Sequence, residues 1–174
     1  VEVGERFGYQ FHEFASRMHL IEDQPPWAPA RRSKTRLSAT PKRHLVDPSL
    51  AASALGASHT ALAVDPRTLG FLFESLVLRD LRVYSQPLRG TAFHFRNKDG
   101  TAEMDIVLEL RDGRWVGVEV KLSPQAAKEA APRLREVADT IGRPPEGLLI
   151  VTPTGTVAEV GERTWLVPIG LLGP

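Results

Sequence analysis

Three short runs of alternating residues constrain this chain more than any other feature. Ala92–Arg96 carries Phe93 and Phe95 on one face. Ala102–Leu110 puts Met104, Ile106, Leu108 and Leu110 on one face and Glu103, Asp105, Val107 and Glu109 on the other. Trp115–Leu122 puts Val116, Val118, Val120 and Leu122 on one face and Glu119 and Lys121 on the other. A period of two is the period of a β-strand, whose successive side chains leave opposite faces. Lys98-Asp99-Gly100 and Asp112-Gly113 supply the turns, the second being a strong hairpin signal. The three runs therefore predict an antiparallel meander.

The flanking segments carry the helical period instead. Asp65-Pro66 joins an N-cap to a proline at the first helical position. Leu69, Leu72, Phe73, Leu76, Val77 and Leu81 follow at helical spacing to about Tyr84, so this helix is expected to be heavily buried. Glu74 is the odd residue in that run. Ser123-Pro124 opens a second helix, Gln125–Ile141, with Ala127, Ala131, Leu134, Val137 and Ile141 on its apolar side and Gly142 at its end. Leu148–Thr152 is continuously apolar, the pattern of a strand covered on both faces. Trp165–Leu172 reads as a last strand or helical turn.

Upstream, Val1 to about Glu22 reads as a helix with Phe7, Phe11, Phe14, Ala15 and Met18 in one apolar stripe. Gln24-Pro25-Pro26-Trp27-Ala28-Pro29 stops it. Residues 23–41 read as a loop or a weak, charged hairpin. Asp47-Pro48 starts a short helix, Ser49–Leu55, closed by Gly56. Helix, meander, helix, strand in that order predict an α/β (α+β) fold, a mixed β-sheet flanked by helices, with a small N-terminal helical segment. The expected division is residues 1–45 as helical segment and basic loop, and 46–174 as the main domain. The chain opens on Val1 rather than Met and reads as a piece of a longer polypeptide.

Charge narrows the chemistry. The net charge is only +1, but Arg31, Arg32, Lys34, Arg36, Lys42 and Arg43 fall in a stretch with no acidic residue. Such a stretch is either a solvated loop or a phosphate-contacting arm. Cysteine is absent, which excludes disulfides and thiolate zinc sites and fits a reducing cytoplasm. No apolar run reaches the roughly 18 residues that span a bilayer, so no membrane association is expected. His12, His19, His44, His59 and His94 show no metal-ligand spacing and read as surface or capping residues. Neither a phosphate-binding loop nor a nucleophile elbow is present. Phe71, Phe73, Phe93 and Phe95 read as core residues rather than a base-stacking platform.

Three acids and a lysine stand where the core should be. Asp105 and Glu119 fall in strands joined by a tight turn, and Lys121 shares the face of Glu119 because the strand period is two. The preceding helix can bring Glu74 to that face. A hard divalent ion, Mg²⁺ or Mn²⁺, takes carboxylate oxygens. Clustered carboxylates repel one another unless a cation compensates. A lysine beside them can stabilise charge on a transferring phosphoryl group. Taken singly, each acid has an ordinary reading. Glu103 and Glu109 suit a solvated strand face, Glu119 and Lys121 suit an ion pair, and Glu74 suits a pair with Arg79 or Arg82.

The segments Gly70–Val77, Glu103–Leu108 and Val118–Ser123 together resemble the PD-(D/E)XK nuclease superfamily, seen in restriction endonucleases and Holliday-junction resolvases. More closely, the chain resembles the C-terminal domain of unknown function 4143 of prokaryotic AAA+-type ATPases. There a lysine-containing segment precedes the glutamate helix, as Pro41-Lys42-Arg43-His44-Leu45-Val46-Asp47-Pro48-Ser49-Leu50 does here. The resemblance spans roughly residues 5–155. One departure is Met104, which stands before Asp105 where the superfamily motif has proline.

The resemblance implies a restriction-endonuclease-like domain over 46–174 and the tail of a winged-helix-like region over 1–45. It implies Asp105, Glu119 and Glu74 as metal ligands, with Lys121, Glu119 and Asp105 catalytic and Mg²⁺ or Mn²⁺ as cofactor. It points to DNA as partner, and the charge pattern offers Arg31, Arg32, Lys34, Arg36, Arg96 and Lys98 for its phosphates, with Arg79 and Arg82 also available. An ATPase module in the same or an associated chain is the other implied partner. The expected activity is Mg²⁺-dependent phosphodiester cleavage. The alternative is a non-catalytic nuclease-like module that docks on DNA or protein.

Overall fold

The computed structural model describes residues 5–29 and 40–173. Helix α1 (Glu5–Arg17) leads into strand β1 (Ile21–Gln24), which pairs antiparallel with β2 (Lys42–Leu45). The first helix thus ends before the Glu22 expected from sequence. His19 takes a positive φ of 54°, and Leu20 N donates back to Ala15 O, which turns the chain out of the helix. Of the apolar stripe, only Ala15 is buried. Phe7, Phe11, Phe14 and Met18 lie exposed.

Two short helices follow, α2 (Pro48–Ala54) and α3 (His59–Val64). Asp47 caps α2 through Ser49 N, as expected. Helix α3, capped by Ser58, was not expected, because six residues carry too little period to read. The long helix α4 (Pro66–Ser85) is capped by Asp65 through Thr68 N. It is buried on one side only, through Phe73, Val77, Leu78, Leu81 and Ser85.

The meander forms as expected from β3 (Thr91–Arg96), β4 (Glu103–Glu109) and β5 (Trp115–Val120). Helix α5 (Pro124–Asp139), capped by Ser123 through Ala126 N, carries the chain to β6 (Gly147–Thr152), which lies parallel to β5. The hairpin β7 (Ala158–Gly161) and β8 (Thr164–Pro168) completes the sheet, ahead of a 3₁₀ turn at Ile169–Leu171. Among the described residues the large sheet has strand order β3-β4-β5-β6-β8-β7, mixed parallel and antiparallel.

Helices α4 and α5 cover opposite faces. Phe73, Val77, Leu78 and Leu81 of α4 pack with Ile106, Val118 and Val151. Ala127, Ala131, Leu134 and Val137 of α5 pack with Met104, Val107, Trp115, Leu148 and Ile150. Each fully buried aliphatic side chain here contributes about 1.5–3 kcal/mol of transfer free energy. No helix among the described residues is long and apolar enough to cross a membrane.

One expectation is corrected inside β4. The alternation is not strict, because Phe93 stands opposite Val107 while Phe95 stands opposite Met104. Strand β4 thus spends one residue more than β3, a β-bulge across Asp105 and Ile106. Met104 and Val107 therefore face α5 together, while Ile106 and Leu108 face α4. The bulge has a dedicated partner. Gln24, completely buried, donates from Nε2 to Phe93 O and Asp105 O, both at 2.9 Å. Beside it, His94 N donates to Pro25 O and Trp27 N donates to His94 O. The segment after β1 thus runs along the outer edge of β3. Trp27, expected in a loop, is buried against Trp115 and Phe95.

Candidate functional site

Strands β4 and β5 pair from Glu109↔Trp115 to Ile106↔Val118 and then part. Asp105 lies just beyond the last pair, turned by the bulge. Its Oδ2 accepts from Val120 N at 2.9 Å, so a carboxylate takes the place of the next ladder bond. Glu119 and Val120 remain paired with β6, and Lys121 N donates to Val151 O. The Glu119-Val120-Lys121 segment is therefore held rigidly from the β6 side and open toward Asp105. Lys121 Nζ donates to Glu119 Oε1 at 2.6 Å.

Glu74 comes from α4, and its partner is neither Arg79 nor Arg82. Lys42 Nζ, at the start of β2, lies 3.0 Å from Glu74 Oε1 and 3.7 Å from Asp105 Oδ1. One ammonium thus bridges two of the acids, while a second, Lys121, serves the third. Lys42 was not expected in this cluster. The signal for it was the lysine-containing segment Pro41–Leu50 ahead of the glutamate helix.

The electrostatics record the crowding. Burial, then the charge of Asp105, pushes Glu119 up to about 7 in spite of Lys121 beside it. Burial and Asp105 also raise Glu74, against the pull of Lys42. Burial alone would lower both lysines, but Glu74 and Asp105 around Lys42, and Glu119 around Lys121, outweigh it and raise them.

Asp105, Glu119 and Lys121 open onto a cavity of ≈ 490 Å³ whose wall also includes Glu103, and Glu129 and Arg133 of α5. Arg133 reaches Thr101 O across the β3–β4 turn, which puts a cation on the rim that the sequence did not single out. Arg96 is exposed and pairs with Glu103 at 3.7 Å, so it stands at the same rim, and Lys98 is exposed in the adjoining turn. Arg79 is spent on Asp80 and Asp47, and Arg82 on Glu22 and Asp23 O. Arg31, Arg32, Lys34 and Arg36 lie outside the described residues.

Two histidines depart from the surface role expected of them. His94 is buried on β3, where burial lowers its pKa. His44 is half-buried, with Nδ1 at 3.0 Å from Ser75 Oγ and Nε2 at 3.2 Å from Gln24 Oε1. Burial, with the charge of Lys42 next, lowers it to about 4, so it is neutral at pH 7.

Among the described residues no three His, Asp or Glu side chains are gathered into a ready-made metal cage. The donor set nevertheless suits a hard divalent ion. It is all oxygen, partly desolvated and mutually repulsive, and it already draws a cation between two of its members.

Residues 69–172 match the family described as Domain of unknown function (DUF4143). That span holds Glu74, Asp105, Glu119 and Lys121 and leaves Lys42 outside. No curated protein and no solved structure matches the chain.

Proposed function

The chain belongs to the DUF4143 family, and we propose that it is a divalent-metal-dependent phosphodiesterase acting on DNA, built on a restriction-endonuclease-like core of the PD-(D/E)XK type. One observation carries the reading. Where β4 and β5 part, Asp105 is held on a bulge, Glu119 on the next strand and Lys121 just past that strand's end, all open to one polar cavity. Glu74 joins them through Lys42. The surrounding order of helix α4, strands β3 to β5, helix α5 and strand β6 supports the same reading.

Asp105, Glu119 and Glu74 are the residues that would hold Mg²⁺ or Mn²⁺. The ion would supply charge neutralisation at the phosphodiester under attack. The chain's own groups do the rest. Val120 N fixes Asp105, and the β6 pairing fixes Glu119 and Lys121, so the site is organised before substrate arrives. Lys121 presents an ammonium that can pass from Glu119 to a phosphoryl oxygen. Without metal, burial and the charge of Asp105 raise Glu119 to about 7, and a bound divalent ion would favour its carboxylate form. Arg133, Arg96 and Lys98 at the rim attract the phosphate backbone. An ATPase module, in the same or an associated chain, is the proposed partner.

The test is cleavage of plasmid and branched DNA with Mg²⁺ or Mn²⁺. Asp105→Ala and Lys121→Ala should each abolish cutting, as should EDTA, while circular dichroism and melting show an intact fold. Undiminished cutting by either variant refutes the assignment. The Lys42 bridge favours a second reading, a non-catalytic module whose acids are neutralised from within. Its mark is DNA or partner binding indifferent to EDTA and to Asp105→Ala.

A further inference from the structure

Helix α4 sends Phe71, Glu74 and Ser75 out on one face, since residues three and four apart on a helix are neighbours. Glu74 belongs to the acidic site. Phe71, expected in the core, is instead 61% exposed. A single exposed aromatic residue is ordinary, but this one lines a second cavity, of ≈ 330 Å³, with Lys42, Arg43, His44, Glu74 and Ser75. Lys42 and Glu74 are common to this cavity and the acidic cluster, so the two adjoin.

The walls select an occupant. Lys42 and Arg43 bring two cations: Lys42 is held by Glu74 and Asp105, while the ion pair of Arg43 with Asp23 is long, at 3.9 Å, which makes Arg43 the one to meet an anion. His44 has both ring nitrogens engaged and serves as a wall. A pocket of one phenyl face, two cations and one shared carboxylate is too charged for an apolar peptide. It suits a planar ring joined to an anion. Aromatic side chains in positively charged grooves stack unpaired bases, and every base offers a π-face. In a duplex that face is covered by the neighbouring base pair.

We propose that this cavity is a nucleotide subsite of the phosphodiesterase site, in which Phe71 stacks an unpaired base and Arg43 holds the phosphate beside it. The substrate is then DNA with a single-stranded nucleotide next to the bond cut, such as an overhang, flap or branch. The inference rests on the phosphodiesterase reading and specifies its substrate.

Fluorescence anisotropy with the full chain tests it, with Ca²⁺ replacing Mg²⁺ to suppress cutting. The probes are a labelled blunt duplex, the same duplex with a short overhang, and that overhang carrying an abasic residue. Wild type should prefer the overhang. Phe71→Ala should lose about 5- to 150-fold on the overhang, with no change on the blunt duplex or the abasic probe. Phe71→Trp should retain binding. Phe71 is exposed, so its alanine variant should melt as wild type does. If Phe71→Ala binds the overhang as wild type does, or weakens all three probes equally, the subsite is overturned and the phosphodiesterase reading stands on its own cleavage test. If wild type binds none of the probes, both are overturned.

Discussion

Gln24→Met removes one amide and leaves the volume of its side chain nearly unchanged. Gln24 is fully buried, and its Nε2 donates to the carbonyls of Phe93 and Asp105. Its oxygen must therefore be the acceptor facing His44 Nε2. Methionine would leave two part-buried carbonyls each short of one donor, and one imidazole N–H unpaired. Each such group costs about 1–3 kcal/mol. Because each carbonyl keeps a second lone pair for other donors, the low end applies, which sums to about 3 kcal/mol. For a chain of this length that is a fall in Tm of about 6–12 °C, read by circular dichroism melting and checked by urea unfolding. The same change frees the Asp105 main chain, so affinity for Mn²⁺ should fall as well. A Tm within about 2 °C of wild type, with metal affinity unchanged, would refute the claim that Gln24 holds the bulge.

Other consequences follow from the same geometry. Lys42→Met deletes the ammonium between Glu74 and Asp105. Its side chain is 32% exposed, so the loss in EDTA should be about 1–2 kcal/mol, below the value for a fully buried pair. Mn²⁺ should then raise the Tm of the variant by more than that of wild type, and equal shifts would contradict the bridging role. Glu119 keeps its proton to about pH 7 when folded, against 4.5 as the ordinary value. The folded state therefore binds more protons between those values, and metal-free stability is full below about 4.5 and falls as pH rises through 7. Urea unfolding at pH 5 and pH 8 should show wild type losing stability relative to Glu119→Gln, the comparison cancelling the opposite trend of His44, which is lowered to about 4 in both. Gly117→Ala places a Cβ 2.9 Å from Leu148 Cδ2 and 3.0 Å from Met104 Sδ. That overpacking should cost about 1–3 kcal/mol, measured by melting.

Much of the fold was legible because local signals agree. Asp65-Pro66 and Ser123-Pro124 start α4 and α5 as their cap chemistry requires. The face of β5 carrying Val116, Val118 and Val120 is the one that packs on α4. The bulge at Asp105 left one trace in the sequence, apolar Val107 on the face of Glu103, Asp105 and Glu109, too little to place it. It is created by pairing with β3 and held by Gln24, 81 residues away. Lys42 was marked only by the family resemblance of Pro41–Leu50, and nothing local tied it to the acids. In the sequence it is one cation of a basic stretch, and only the β1–β2 hairpin carries it to Glu74. The stripe on α1 has a real helical period, but period says nothing about what covers it. His94 was misjudged because an extended segment, not a strand, runs along β3 and covers its outer edge.

The central claim is that Asp105, Glu119 and Glu74 form a divalent-metal site. Calorimetric titration of Mn²⁺ into metal-depleted wild type and into Asp105→Ala, at pH 7.5 with and without DNA, tests it most directly. The expected result is saturable binding in wild type that is lost in the variant. Absence of binding in wild type under both conditions, or unchanged binding in Asp105→Ala, would contradict the claim and leave the acidic cluster as ion pairs of a non-catalytic domain.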